Sequence, residues 1–206
     1  MPVDLRIAPV ELRGTHVRLE PMSPDHLAGL RVAGSDPRIW RWMPLDGSTP
    51  DGMAALVEAA LAAQAAGSEL PFVTIEAATG RVVGSTRYLA LAPANLRLEI
   101  GWTWIDPAFQ RSAVNSEAKL LGMGHAFETL GIRRVEFKTD ALNEQSRAAI
   151  LGIGAQFEGI FRKHMVMPGG RARDSAYYSV IDTEWPDVRA YLQARLARHS
   201  LKEGSQ

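Results

Sequence analysis

The chain has 206 residues, 46% of them hydrophobic and 22% charged, which is enough for one domain, residues 1–206, with a full core. Lys plus Arg and Asp plus Glu number 23 each, so no overall field favours nucleic acid or an anionic membrane, and with no cysteine there is no disulfide, thiolate zinc site or cysteine nucleophile. No apolar run approaches the ~18 residues of a membrane span, and the start Met-Pro-Val-Asp-Leu-Arg lacks a signal-peptide pattern, so no membrane association and a cytoplasmic location are expected.

Val17 and Leu19 among polar residues, after a Gly14-Thr15 turn, predict a first strand near His16 to Glu20. Ser23-Pro24-Asp25 then places a cap and a proline in a first helical turn, and Leu27, Leu30 and Arg31 carry a short helix that fails around Gly34 to Pro37. The segment Ile39 to Pro44 holds Trp40 and Trp42 without periodicity. Thr49-Pro50-Asp51 opens a second helix, in which Met53, Leu56, Val57, Ala60 and Leu61 recur at spacings of three and four until Gly67.

Phe72 to Ala77 and Val82 to Ala90 are strand-like runs around a hairpin turn at Ala78 to Arg81. The next strand opens the stretch Leu98 to Leu130. Its even positions Leu98, Ile100, Trp102 and Trp104 are large and apolar, whereas Glu99, Gly101 and Thr103 alternate with them. One face is therefore expected in the core and the other free for chemistry. Asp106-Pro107 ends the strand, and the small or polar Ser112, Ala113, Asn115 and Ser116 lead into a helical run from Glu117 to Leu130. The first N–H groups of such a helix lack internal partners, which makes its start an anion site.

Gly131 closes that helix, Arg134 to Thr139 alternates as a short strand, and Asn143 caps a helix running through Ile150 to Gly154. Gln156 to Val166 and Ala176 to Ile181 read as a closing hairpin across Pro168-Gly169-Gly170. Thr183 then caps a last helix, about 184–199, before a polar tail. The order is strand, two helices, three strands, helix, strand, helix, two strands, helix: an α+β fold in which the central helix joins strands lying parallel.

This order, with Glu99-Ile-Gly-Trp in a strand, the loop Pro107 to Ala118, and Asn143-Glu-Gln-Ser146 before Gly154-Ala155, resembles the GNAT superfamily of acetyl-CoA-dependent N-acetyltransferases over residues 11 to 182. The branch it resembles is that of the ribosomal-protein N-terminal (RimJ/RimL-like) acetyltransferases. The resemblance implies a mixed, mostly antiparallel seven-stranded sheet flanked by helices, acetyl-CoA as cosubstrate, and a homodimer. The family's pyrophosphate loop, Gln/Arg-x-x-Gly-x-Gly/Ala, maps onto Gln110, Arg111, Ser112, Ala113, Val114 and Asn115, with alanine and asparagine where the family has small residues led by glycine. Thr103, Ile105 and Asn143 would also meet the cofactor.

By the same resemblance Glu99 is the general base and Ser146 the proton donor to the leaving thiolate. For each a second reading is open: Glu99 as a structural partner of Arg87 or Arg97, and Ser146 as a first-turn serine bonded to its own backbone. Asn143 either bonds the pantetheine arm or only caps its helix. A second carboxylate carried by relatives falls here on Met165, with His164 beside it as a reserve base. Trp40, Trp42 and His164 are expected to border the acceptor, and no metal is expected, because the histidines show no ligand spacing. The function implied is direct acetyl transfer to a primary amine, a protein or peptide N-terminal α-amine above all. A small-molecule, antibiotic-like amine acceptor is the enzymatic alternative. A CoA-binding module without turnover and a purely structural protein are the others.

Overall fold

The computed structural model describes residues 7–203. Thirteen regular elements follow one another as β1 (Leu12–Arg13), β2 (Val17–Pro21), α1 (Leu27–Ala33), α2 (Pro50–Ala65), β3 (Leu70–Glu76), β4 (Val82–Ala92), β5 (Arg97–Ile105), α3 (Ala113–Gly124), β6 (Arg134–Asp140), α4 (Glu144–Leu151), β7 (Gln156–Val166), β8 (Ala172–Ile181) and α5 (Trp185–Glu203). The polar tail predicted after the last helix lies outside the described residues beyond Glu203.

Among the described residues the strands form one sheet in the order β1-β2-β3-β4-β5-β6-β8-β7. All pairs are antiparallel except β5 with β6, which is parallel, as the intervening helix α3 requires. The sheet has eight strands where seven were expected. The additional one, β1, is two residues long and folds back on β2 through the Gly14-Thr15 turn, closed by Gly14 N–H donating to Val17 O at 2.8 Å. Two residues are too short to show an alternation, so the pattern of the sequence does not reveal it.

Helices cover both faces. Against one face, Leu98, Ile100, Val114, Ala118, Met123, Phe137 and Tyr178 join Leu192 of α5 in the larger core. Against the other, α1 and α2 seal Val73, Ile75 and Trp104 beneath Leu30, Met53 and Leu56. Burying side chains of this size stabilises by about 1.5–3 kcal/mol each. α1 and α2 pack on β4 and β3; further along that same face β6 and β8 carry Glu136, Lys138, Asp140, Ser175 and Tyr177, which alternate with the core residues Val135, Phe137, Ala176 and Tyr178.

Glu117 locks α3 to the first strands. Its carboxylate, buried beside Gly14, accepts the N–H groups of Thr15, His16 and Val17 at 2.9, 2.6 and 2.7 Å. It lies within α3, which starts four residues earlier than expected, at Ala113. Ser112 is the cap, its Oγ accepting from Val114 N–H.

The alternation expected along β5 also breaks. Between Arg87 and Ser85 of β4 the pairing shifts from Gly101 to Trp104, and Trp102 takes a φ of +50°. This bulge inserts a residue and turns the following side chains over. Leu98 and Ile100 thus share the larger core with Ile105, whereas Trp104 joins the smaller core on the opposite face and packs there on Trp40 at a ring distance of 5.2 Å.

Candidate active site

The bulge makes β5 part from β6. Only Arg97, Leu98 and Glu99 pair with β6, opposite Arg134, Val135 and Glu136, although β5 continues to Ile105 and β6 to Asp140. Beyond Glu99 the two strands splay, and the β5 edge facing the gap is without a ladder partner. The gap is a cleft of about 820 Å³. Ile100 to Ile105 form one wall, Phe137 and Lys138 of β6 the other; Asn143 to Ser146 of α4 close one side, and Trp42 and Met43 border the mouth.

The end of the cleft meets α3. Gln110, Arg111, Ser112 and Asn115 line it there, and Gln145 of α4 donates through Nε2 to Gln110 Oε1 at 3.1 Å, tying the loop to the opposite wall. The left-handed residue of this glycine-free loop is Arg111, φ +63°; Ala113 and Asn115 sit in the first helical turn with negative φ. Alanine at the family's glycine position is thus unstrained. With Val114 N–H capped by Ser112, the amides of Ala113 and Asn115 have no carbonyl one turn before them. Ala113 and Val114 keep their side chains buried behind the rim, so they contribute backbone alone.

Glu99 is 3% exposed and lies behind the cleft wall at Gly101, where an added Cβ would come within 2.8 Å of its Oε1. Glycine at 101 is what leaves that space. Its partner is Lys138 of β6, Nζ to Oε2 3.0 Å; Arg87 pairs instead with Glu69, and Arg97 with Glu136. Burial pushes the Glu99 carboxyl above the ordinary carboxylate range, and the Lys138 ammonium offsets part of that rise. Ser146 lines the cleft with a hydroxyl that makes no hydrogen bond among the described residues. Asn143 caps α4, its Oδ1 accepting Ser146 N–H at 3.1 Å, and lines the cleft as well.

Thr103 and Ile105 border the cleft, but the Thr103 hydroxyl is engaged inside the protein. It bonds Thr86 Oγ1 at 2.8 Å and accepts from Lys119 Nζ at 2.6 Å. Lys119, on α3, forms part of the cleft floor with no carboxylate bonded to it among the described residues, and burial lowers its pKa to about 7. Sequence reading passed over Lys119 because an i+4 step from Asn115 in a helix gives no sign of what lies opposite.

Of the three residues expected at the acceptor, Trp42 alone lines the cleft. Trp40 is core, 4% exposed, its Nε1–H donating to Gly34 O at 2.8 Å. His164 stands on β7, bonded to Ser175 at 3.1 Å and near Tyr177 Oη at 3.4 Å; burial first, then Lys138 and Arg173, lower its pKa. It borders the polar face of β6 and β8, where Asp140 and Ser175 are buried. That face also holds Arg173, which sequence reading did not single out. Among the described residues no helix is long and apolar enough to cross a membrane, and no three His, Asp or Glu side chains converge as a metal site.

Residues 16–156 match the family described as Acetyltransferase (GNAT) domain. A GCN5-related N-acetyltransferase from Brucella melitensis superimposes with a TM-score of 0.86 at 34% identity, over 92% of this chain and 86% of that one. Mycobacterium smegmatis RimJ, solved with CoA-disulfide, shares the fold at a TM-score of 0.74 and 22% identity, over 91% of this chain and 93% of its own. YoaA of Bacillus subtilis, an uncharacterised N-acetyltransferase, is 31% identical over 103 residues, half of this chain. YdaF of Bacillus subtilis, whose name proposes ribosomal N-acetylation, is 32% identical over 106 residues. The chain spans 57% of the length of each of these two curated relatives. A match over more than half of the chain, together with a sheet that splays after one parallel pairing and a helix start at the end of the splay, leads to one conclusion: the chain belongs to the GNAT acetyltransferase family.

Proposed function

We propose that the chain transfers the acetyl group of acetyl-CoA to a primary amine while both substrates are bound. One observation carries this reading: the open β5 edge from Ile100 to Ile105 runs, within one cleft, from beside the Glu99 carboxylate to the N-terminus of α3. The residues fit acetyl-CoA. The amides of its pantetheine arm match an unpaired strand edge as an added strand would, and its pyrophosphate matches the free amides of Ala113 and Asn115 at the positive end of the helix dipole. Bound there, acetyl-CoA supplies an activated acyl carbon.

Glu99 receives the proton that the amine gives up, directly or through water. Holding an amine deprotonated at pH 7 costs about 1 kcal/mol for an α-amine and about 4.6 kcal/mol for a lysine side chain. A carboxylate whose proton affinity is raised by burial is suited to that task. The Ser146 hydroxyl, unengaged by the protein, holds a proton for the departing sulfur. Asn143 fixes the turn that presents it.

An N-terminal α-amine is the acceptor we favour, over a lysine side chain on its smaller deprotonation cost and over an antibiotic-like small molecule on the name of the relative YdaF. Thiol release from acetyl-CoA, followed with peptides, lysine analogues and aminoglycosides, tests both levels. Release with peptides is expected. Calorimetric CoA binding with no release for any amine would leave a CoA-binding module without turnover.

A further inference from the structure

On the sheet face that carries Glu99, Arg173 has no hydrogen-bond or ion-pair partner among the described residues. Arg173 of β8 is 6% exposed, its Nε is shut off from solvent with no hydrogen-bond acceptor, and its guanidinium makes no ion pair or hydrogen bond among the described residues. Its position is fixed by register: Arg173 lies opposite Met165 of β7 and shares its face of β8 with Ser175 and Tyr177, which lie opposite Asp140 and Lys138 of β6. The carboxylates of Asp140 and Glu99 are already taken. Asp140 accepts from Arg171 Nη2 at 2.5 Å and from Leu142 N–H at 3.0 Å, and Glu99 is held by Lys138. Arg87, the other buried arginine with an unmatched Nε, differs in being used: it pairs with Glu69 at 2.9 Å and lies 4.7 Å from the Trp102 ring centre.

A guanidinium cannot shed its charge as a buried lysine does, so an unmatched one in this position stays a cation with five donors in a planar fork. The group that fits such a fork is a carboxylate, bound through two parallel N–H···O bonds. The surroundings are permissive for it. Arg171, half exposed with its guanidinium 5.7 Å from the Trp42 ring centre, bridges from this face to the mouth of the cleft, and Lys138 lines the cleft itself.

We propose that Arg173 is a specificity residue that binds a carboxylate carried by the amine acceptor, the amine being held towards Glu99. This rests on the acetyl-transfer reading of the cleft that Lys138, on the same sheet face, lines. The carboxylate belongs either to a free amino acid or to an acidic side chain near a peptide N-terminus, since both set an anion a few bonds from an α-amine.

The test uses matched acceptors that differ in one group: an amino acid against its amide, and a peptide with aspartate at its second position against the same peptide with asparagine. The full chain is expected to prefer the carboxylate member of at least one pair by about tenfold in kcat/KM, mainly through KM. The pair that shows the preference identifies the source. Arg173→Gln brings the ratio within twofold, and Arg173→Lys restores part of it; circular dichroism melts of both variants establish folding. Equal use of both members by the unmodified chain, or a preference surviving in Arg173→Gln, overturns the proposal. Calorimetric binding of the same pairs in the presence of CoA answers the question without turnover: tighter carboxylate binding with no thiol release upholds Arg173 and removes the transfer reading, whereas equal binding removes the role of Arg173.

Discussion

Replacing Lys119 by methionine is expected to stabilise the protein, and to do so more at pH 6.5 than at pH 9. The ammonium is buried on the cleft floor, 5% exposed, with two hydroxyls and the Phe137 ring as its company and no bonded carboxylate. Burial brings its pKa from 10.5 to about 7, a displacement worth at most about 5 kcal/mol. The sign follows from which state holds the proton. Below pH 7 both folded and unfolded chains carry it and the whole desolvation penalty opposes folding. Between pH 7 and 10.5 the unfolded chain keeps the proton while the folded chain has released it, so stability rises with pH. About 2 kcal/mol of the penalty is relieved between pH 7 and pH 9. Methionine has similar length and no charge. Its introduction orphans nothing, because Thr86 and Thr103 remain bonded to one another at 2.8 Å. Urea unfolding of both proteins at pH 6.5, 7.5 and 9 measures the effect, and subtracting one from the other cancels every other titrating group. A difference that stays constant across that range would refute the argument, since it would mean that Lys119 keeps its proton throughout.

Glu99→Gln is expected to lower kcat/KM by about 10² or more, and to flatten the acid limb that a carboxyl raised by burial gives the unmodified enzyme; a pH–rate profile with an unchanged acid limb assigns the proton to another group. Asn115→Asp separates two effects of one charge. At the first turn of α3 it stabilises the helix by about 0.3–1 kcal/mol, yet it repels the pyrophosphate, so thermal melting should rise slightly while calorimetric CoA affinity falls at least tenfold. Glu117→Gln replaces a carboxylate that three backbone N–H groups share, and the loss should be at least ~3 kcal/mol in chemical denaturation; a loss below 1 kcal/mol would show that water replaces those bonds.

Signals acting within a few residues made most of the fold legible in the sequence. Ser23-Pro24, Thr49-Pro50 and Asn143 each begin a helix where capping chemistry places one, and the three-strand meander and closing hairpin follow from alternation and turn residues. The loop from Gln110 to Asn115 and the pair Asn143 and Ser146 were placed by the family resemblance, and Gln110, Arg111, Ser112 and Asn115 line one cleft with Asn143 and Ser146. Trp40 shows the limit. A tryptophan in an aperiodic segment serves a core or a cleft equally well from the sequence, and only packing against Trp104 put it in the core.

What the sequence by itself determined is the order of elements and most of their caps and turns, because caps, turns and periodicities are interactions among neighbours in the chain. Only the tertiary structure decided where the chemistry sits. A positive φ at Trp102 reverses the faces of β5 and opens the cleft; Glu99 takes its partner from a parallel strand 39 residues on; Lys119 and Arg173 are bonded to no carboxylate among the described residues. Each of these is a matter of distance between segments far apart in sequence, and being unpaired is a property of a whole surrounding that no local pattern encodes.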